Sequence, residues 1–152
     1  MNQIIFFGDK LSADEFVRIT ITSSRGKRSS CTKKDLETIC EQAGIKPAWN
    51  DTKETLYDKI IKNHVYDCRE MAQRFQAGVT MRMYVNQFKI SPQIVRKLEK
   101  EGIIHAIGQG DSYECGKKFK ETLYDPYEFE SMNPDTIREF YLLHRIEGTT
   151  SK

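Results

Sequence analysis

Nothing in this chain approaches the roughly 20 consecutive apolar residues needed to cross a bilayer. The apolar start Ile4-Ile5-Phe6-Phe7 is broken at once by Gly8-Asp9-Lys10, so neither a secretory leader nor a membrane partner is expected. Cysteine is sparse. Cys31, Cys40, Cys68 and Cys115 lie far apart and never form Cys-x-x-Cys, while His64, His105 and His144 supply no paired ligand spacing. Free thiols in a reducing, intracellular setting are expected, with no metal and no cofactor. Catalytic signatures are missing as well: there is no Gly-x-Ser-x-Gly, no His-Glu-x-x-His and no Gly-x-x-x-x-Gly-Lys-[Ser/Thr] run, which removes the common hydrolase and nucleotide classes. Gly108-x-Gly110 lacks a third glycine and opens no helix. No catalytic residue is expected, and the protein reads as a binding protein, not an enzyme.

Charge of one sign is also scarce overall, with a net +2 that is too small to announce a nucleic-acid partner by itself. Its distribution is uneven. Residues 25–34 carry five cations and no acid, residues 69–100 carry seven cations against Glu70 and Glu99, and residues 121–139 carry six acids against Arg138. Two basic blocks followed by an acidic one give a cationic face if the fold brings the basic blocks together.

With 152 residues, of which 38% are hydrophobic, the chain can bury a core, though a mean hydropathy of −0.62 makes that core thin. The expected class is α+β and mainly helical, in four segments: 1–30, 31–65, 66–120 and 121–152. The first reads as a β-hairpin and basic loop, because Val17, Ile19 and Ile21 alternate with Arg18, Thr20 and Thr22 at the period of a half-buried strand. The second pairs a helix capped by Thr32 and stopped at Gly44 with another from about Lys53, joined by an extended connector. Trp49 is expected to pack over their junction, with stacking on a nucleobase as the alternative role. The third holds helices over 66–76 and 81–88, a helix begun by Ser91-Pro92 and ended at Gly102, then two short strands around a Gly108–Ser112 turn. The fourth is an acidic loop, with Glu128 and Glu130 in solvent among aromatics, and a helix from Asn133-Pro134 whose inner face is Ile137, Phe140, Tyr141 and Ile146.

The run Ile90-Ser91-Pro92-Gln93-Ile94-Val95-Arg96-Lys97-Leu98-Glu99-Lys100-Glu101-Gly102-Ile103-Ile104 resembles the recognition helix of excisionase and MerR-like winged helix-turn-helix families. Its Ser-Pro start, apolar pair, basic residues and Lys-Glu-Gly-Ile ending carry the likeness. The resemblance implies a winged helix over about 71–119 that docks double-stranded DNA, with Ser91, Gln93, Arg96, Lys97 and Lys100 at the major groove. This turn has no arginine, the cations arriving at Lys117 and Lys118. Residues 32–64, through Leu36, Ile39, Gly44, Ile45, Lys53, Leu56, Tyr57, Ile60 and Ile61, are similar to SAP-type helix-extended-helix modules. That resemblance implies phosphate contacts from Lys46, from Lys53 and from the Arg25, Lys27 and Arg28 loop. A DNA-binding transcriptional regulator or viral or phage DNA-associated factor is one expectation. The alternative is a protein-interaction module of a viral or macromolecular assembly, or a polymerase-binding inhibitor, with a protein partner or homodimer formed through the last helix.

Overall fold

A computed structural model describes residues 1–23 and 31–150. Among these residues the chain is α+β, with eight helices and five strands. The N-terminal hairpin is present but shorter than the sequence pattern implies: β1 (Ile4–Phe6) pairs antiparallel with β2 (Asp9–Leu11). Residues 16–22 are not its second strand. They belong to α1 (Ala13–Thr22), which opens with a capping box in which Ser12 and Glu15 each accept from the other's backbone N–H. Ala13, Phe16, Val17, Thr20 and Ile21 are all buried, a helical spacing that coexists with the period-two alternation. The local cap and tertiary packing override the β-branched composition.

Next come α2 (Lys33–Gln42), capped by Thr32, and α3 (Lys53–Lys62), capped by Thr52. Both pack their apolar faces, Leu36, Ile39 and Cys40 against Leu56, Tyr57 and Ile60, into the core. Then α4 (Cys68–Phe75), β3 (Val79–Thr80), α5 (Met81–Phe88), α6 (Pro92–Lys100), β4 (Ala106–Glu114) and β5 (Lys117–Tyr124) form a unit whose sheet runs in the order β3-β5-β4. The Gly108–Ser112 stretch is strand, not turn. Glycine is there because backbones and side chains crowd: a Cβ on Gly108 would lie 2.6 Å from Gln76 Cγ, and one on Gly110 would lie 3.2 Å from Leu123 Cδ1. The chain turns instead at Cys115-Gly116, both left-handed with φ of 53° and 78°, the geometry a two-residue hairpin requires.

The acidic segment is also not a loop. Asp125 caps α7 (Pro126–Ser131), and α8 (Pro134–Thr150) follows. Glu128 accepts from the His105 backbone N–H at 2.8 Å and lies 2.6 Å from its Nδ1, while Glu130 accepts from Ala13 N–H at 2.6 Å. These carboxylates stitch α7 to the sheet and to the start of α1. One buried apolar cluster runs from Ile4 to Ile137 and draws on all four sequence segments. At its heart Tyr84 meets Phe129 and Tyr124 edge-on, with ring centroids 4.9 and 5.7 Å apart. Ile137 anchors α8 in this cluster, with Phe140 and Tyr141 half-buried, and Leu142 and Leu143 face outward. No helix among the described residues is long and apolar enough to cross a membrane.

Candidate nucleic-acid interface

The helix that carries the sequence argument is built by a local signal. Ser91 Oγ accepts from Ile94 N–H at 3.4 Å, Pro92 fills the first turn, and Gly102 follows the last. Before it, Lys89 in the left-handed conformation and buried Ile90 make a three-residue turn out of α5. Ile94, Val95 and Leu98 anchor α6 in the core, and Tyr124 O–H donates to Glu99 Oε1 at 2.8 Å, fixing its back to β5. That bond also occupies the one acid within α6. Gln93, Arg96 and Lys100, at i, i+3 and i+7, form the exposed stripe, with Lys97 half-exposed beside them. Gln93, Arg96 and Lys100 have no hydrogen-bond or ion-pair partner among the described residues. The positions expected from sequence on this helix therefore share one face, except that the Ser91 hydroxyl is engaged as the cap.

Elsewhere the expected residues separate. Arg25, Lys27 and Arg28 lie outside the described residues. Lys53 is not offered to a phosphate. Its ammonium donates to the Cys31 carbonyl at 2.6 Å and the Ile21 carbonyl at 3.3 Å, so it tethers the end of α1 and the approach to α2 to the first turn of α3. Lys117 and Lys118 are exposed beside the hairpin tip, but Lys118 is paired within the hairpin. Asp111 Oδ2 lies 3.2 Å from Lys118 Nζ, and Asp111 Oδ1 lies 2.8 Å from Lys120 Nζ. Hydrogen bonds from Lys120 and then Lys118 hold the Asp111 carboxyl below its ordinary range. The cross-strand register, Asp111 opposite Lys120 and Tyr113 opposite Lys118, dictates this pairing, and the misplaced turn hid it.

Three surface features escaped the sequence reading. Arg82 and Asn86, four residues apart on α5, and Lys89 just after its end make a second set of exposed polar side chains. Trp49 does not pack over the α2–α3 junction but is 92% exposed. Cys68 lines an open cleft with Asp14, Tyr66, Arg69 and Tyr127, where burial raises the thiol above its usual range and so keeps it protonated. Among the described residues, no group of three or more His, Cys, Asp or Glu side chains is placed to hold a metal ion.

The chain matches no family model, no curated protein and no solved structure. The functional reading rests on its own geometry.

Proposed function

We propose that the protein binds double-stranded DNA through α6, as a winged helix-turn-helix. The observation that carries the reading is the exposed Gln93, Arg96 and Lys100 stripe on a helix anchored by Ile94, Val95 and Leu98. Support comes from the element order helix, strand, helix, helix, hairpin and from the sheet order β3-β5-β4, with the third helix of the unit keeping an exposed outer face. Phosphate contacts supply most of the affinity and the major-groove face of α6 the sequence preference. The wing contributes little, because Lys118 and Lys120 already face Asp111. A DNA ligand implies work inside a cell or virion, as a transcriptional regulator or DNA-associated factor.

Binding of fluorescein-labelled duplex, followed by anisotropy over a salt series, tests this. Wild type should bind at low salt, and Arg96→Ala with Lys97→Ala should weaken binding and flatten the plot of log affinity against log salt by about two units, one for each lost cation. Absence of binding at micromolar protein in low salt sinks the proposal.

A second reading, docking to a protein or to another copy, draws on α8. Leu142 and Leu143 are 46% and 59% exposed, and Leu142 borders a cleft of about 430 Å³ with Phe88, Ile90 and Tyr141. The duplex assay separates the two readings, since a purely protein-binding surface has no reason to respond to Arg96 and Lys97.

A further inference from the structure

A solvent-exposed tryptophan forfeits one of the largest apolar burials a side chain offers, and the turn around Trp49 is held too firmly for that exposure to be a by-product of slack chain. Trp49 and Asn50 are the central residues of a turn closed by Asp51 N–H donating to the Ala48 carbonyl at 3.1 Å. The Asp51 carboxylate accepts from Ala48 N–H at 2.8 Å and from Lys59 Nζ at 2.5 Å. The turn is thereby bonded to itself and to α3. Upstream, Ile45 packs against the core and its N–H donates to the Cys40 carbonyl at 2.8 Å, so the connector is fixed at both ends. The indole projects from a rigid mount, ordered before any partner arrives, which lowers the entropic cost of using it.

The surroundings indicate what it meets. Lys46 is exposed three residues before it, and Lys33 and Lys34 are exposed on the first turn of α2. Lys33 is close enough to Asp51 to help hold its carboxyl down, after the larger effect of the Lys59 bond. Asp51, two residues after the indole, is committed to Lys59. An accessible aromatic face on a rigid turn, with exposed Lys33 and Lys46 nearby, suits an unpaired nucleobase with its phosphates, because every base has a face to stack and every linkage a negative charge.

We infer that the Trp49 turn, with Lys33 and Lys46, is a stacking site for single-stranded nucleic acid, separate from the duplex-binding face of α6. The chain holds one tryptophan, so its fluorescence reports on this site alone. Titration with oligothymidylate and oligouridylate of about 20 nucleotides, longer than the usual single-strand footprint, should quench the emission saturably, with affinity falling as salt rises. Quenching by only one polymer tells whether a DNA-type or an RNA-type strand is bound. By anisotropy of labelled oligonucleotide, Trp49→Ala should lose roughly 5- to 150-fold in affinity, the range given by one stacked base, and Trp49→Phe should recover part of it. The exposed position makes both variants fold as wild type, which circular dichroism checks. Failure of both polymers to quench overturns the inference, as does an unchanged affinity in Trp49→Ala. Duplex binding that responds to Arg96→Ala but not to Trp49→Ala leaves the α6 reading standing in either case.

Discussion

Asp125 illustrates how much one acidic side chain does in this protein. It is buried, it accepts from Tyr127 N–H at 2.8 Å to start α7, and its other oxygen meets Arg69 at 2.7 Å. The Arg69 guanidinium also lies 5.8 Å from the Tyr127 ring centroid. Removing the carboxylate strips the cap and leaves Arg69 without its partner. Asp125→Ala should therefore destabilise the protein by about 2–4 kcal/mol, the sum of a lost N-cap and a broken, half-buried ion pair, measured by urea denaturation. A loss under about 1 kcal/mol would mean that α7 docks without its cap. Glu128 and Glu130 belong with Asp125 in this respect. The sequence offers them as free surface acids, but variants at these positions would perturb His105 and the start of α1, so neither is a neutral control for DNA binding.

At the scale of elements, helix starts are the most legible feature of the chain. Thr32 and Ser91 cap the helices expected of them, because an N-cap is a bond between a side chain and a backbone three residues away and needs nothing from the rest of the fold. Where partners lie far apart in sequence, legibility fails. The Val17, Ile19 and Ile21 alternation looked like a strand until the core chose its helical face, and Gly108 looked like a turn because Gln76 and Leu123 are invisible to local pattern. The same holds for the candidate site. The α6 stripe was readable from spacing alone, whereas the diversion of Lys53 to two backbone carbonyls and of Lys118 and Lys120 to Asp111 depends on tertiary contact.

The caps also make a pH prediction. Glu15 and Asp35 accept from the backbone N–H of Ser12 and Thr32, at 3.1 and 2.9 Å, and these bonds hold both carboxyls below their ordinary values. The folded state therefore binds these protons more weakly than the unfolded chain does. Their stabilisation is complete above the unfolded carboxylate range near pH 4 and drains away as pH falls through the lower folded values. Thermal midpoints should stay flat down to about pH 5 and then decline towards about pH 3. Asp35→Asn should lower the neutral-pH midpoint and make the acid decline shallower. An unchanged acid limb in that variant would remove the α2 cap from the account.

For the whole molecule, the four free thiols sample distinct depths. Cys31 and Cys40 are buried in the common core, Cys68 is half-buried beside the α1–α4 cleft, and Cys115 sits exposed at the hairpin tip. Burial pushes the Cys31 thiol up to about 12, so it carries almost no thiolate at neutral pH. A maleimide pulse should label Cys115 first and Cys68 more slowly, with Cys31 and Cys40 protected until the molecule unfolds, as read by mass spectrometry of the intact chain and its peptides. Because one core serves all four segments, Cys31 and Cys40 should become reactive together in a single denaturant transition. Separate transitions would show that the α2–α3 pair opens independently of the sheet.

The Lys53 tether makes three helices depend on one side chain. A single ammonium gathers the carbonyls of Ile21 and Cys31, so the last turn of α1 and the lead into α2 are both pinned to the first turn of α3. Lys53→Met keeps the aliphatic stem but withdraws the donor from both carbonyls at once. A lysine that the linear sequence offers to a phosphate is a keystone of the frame.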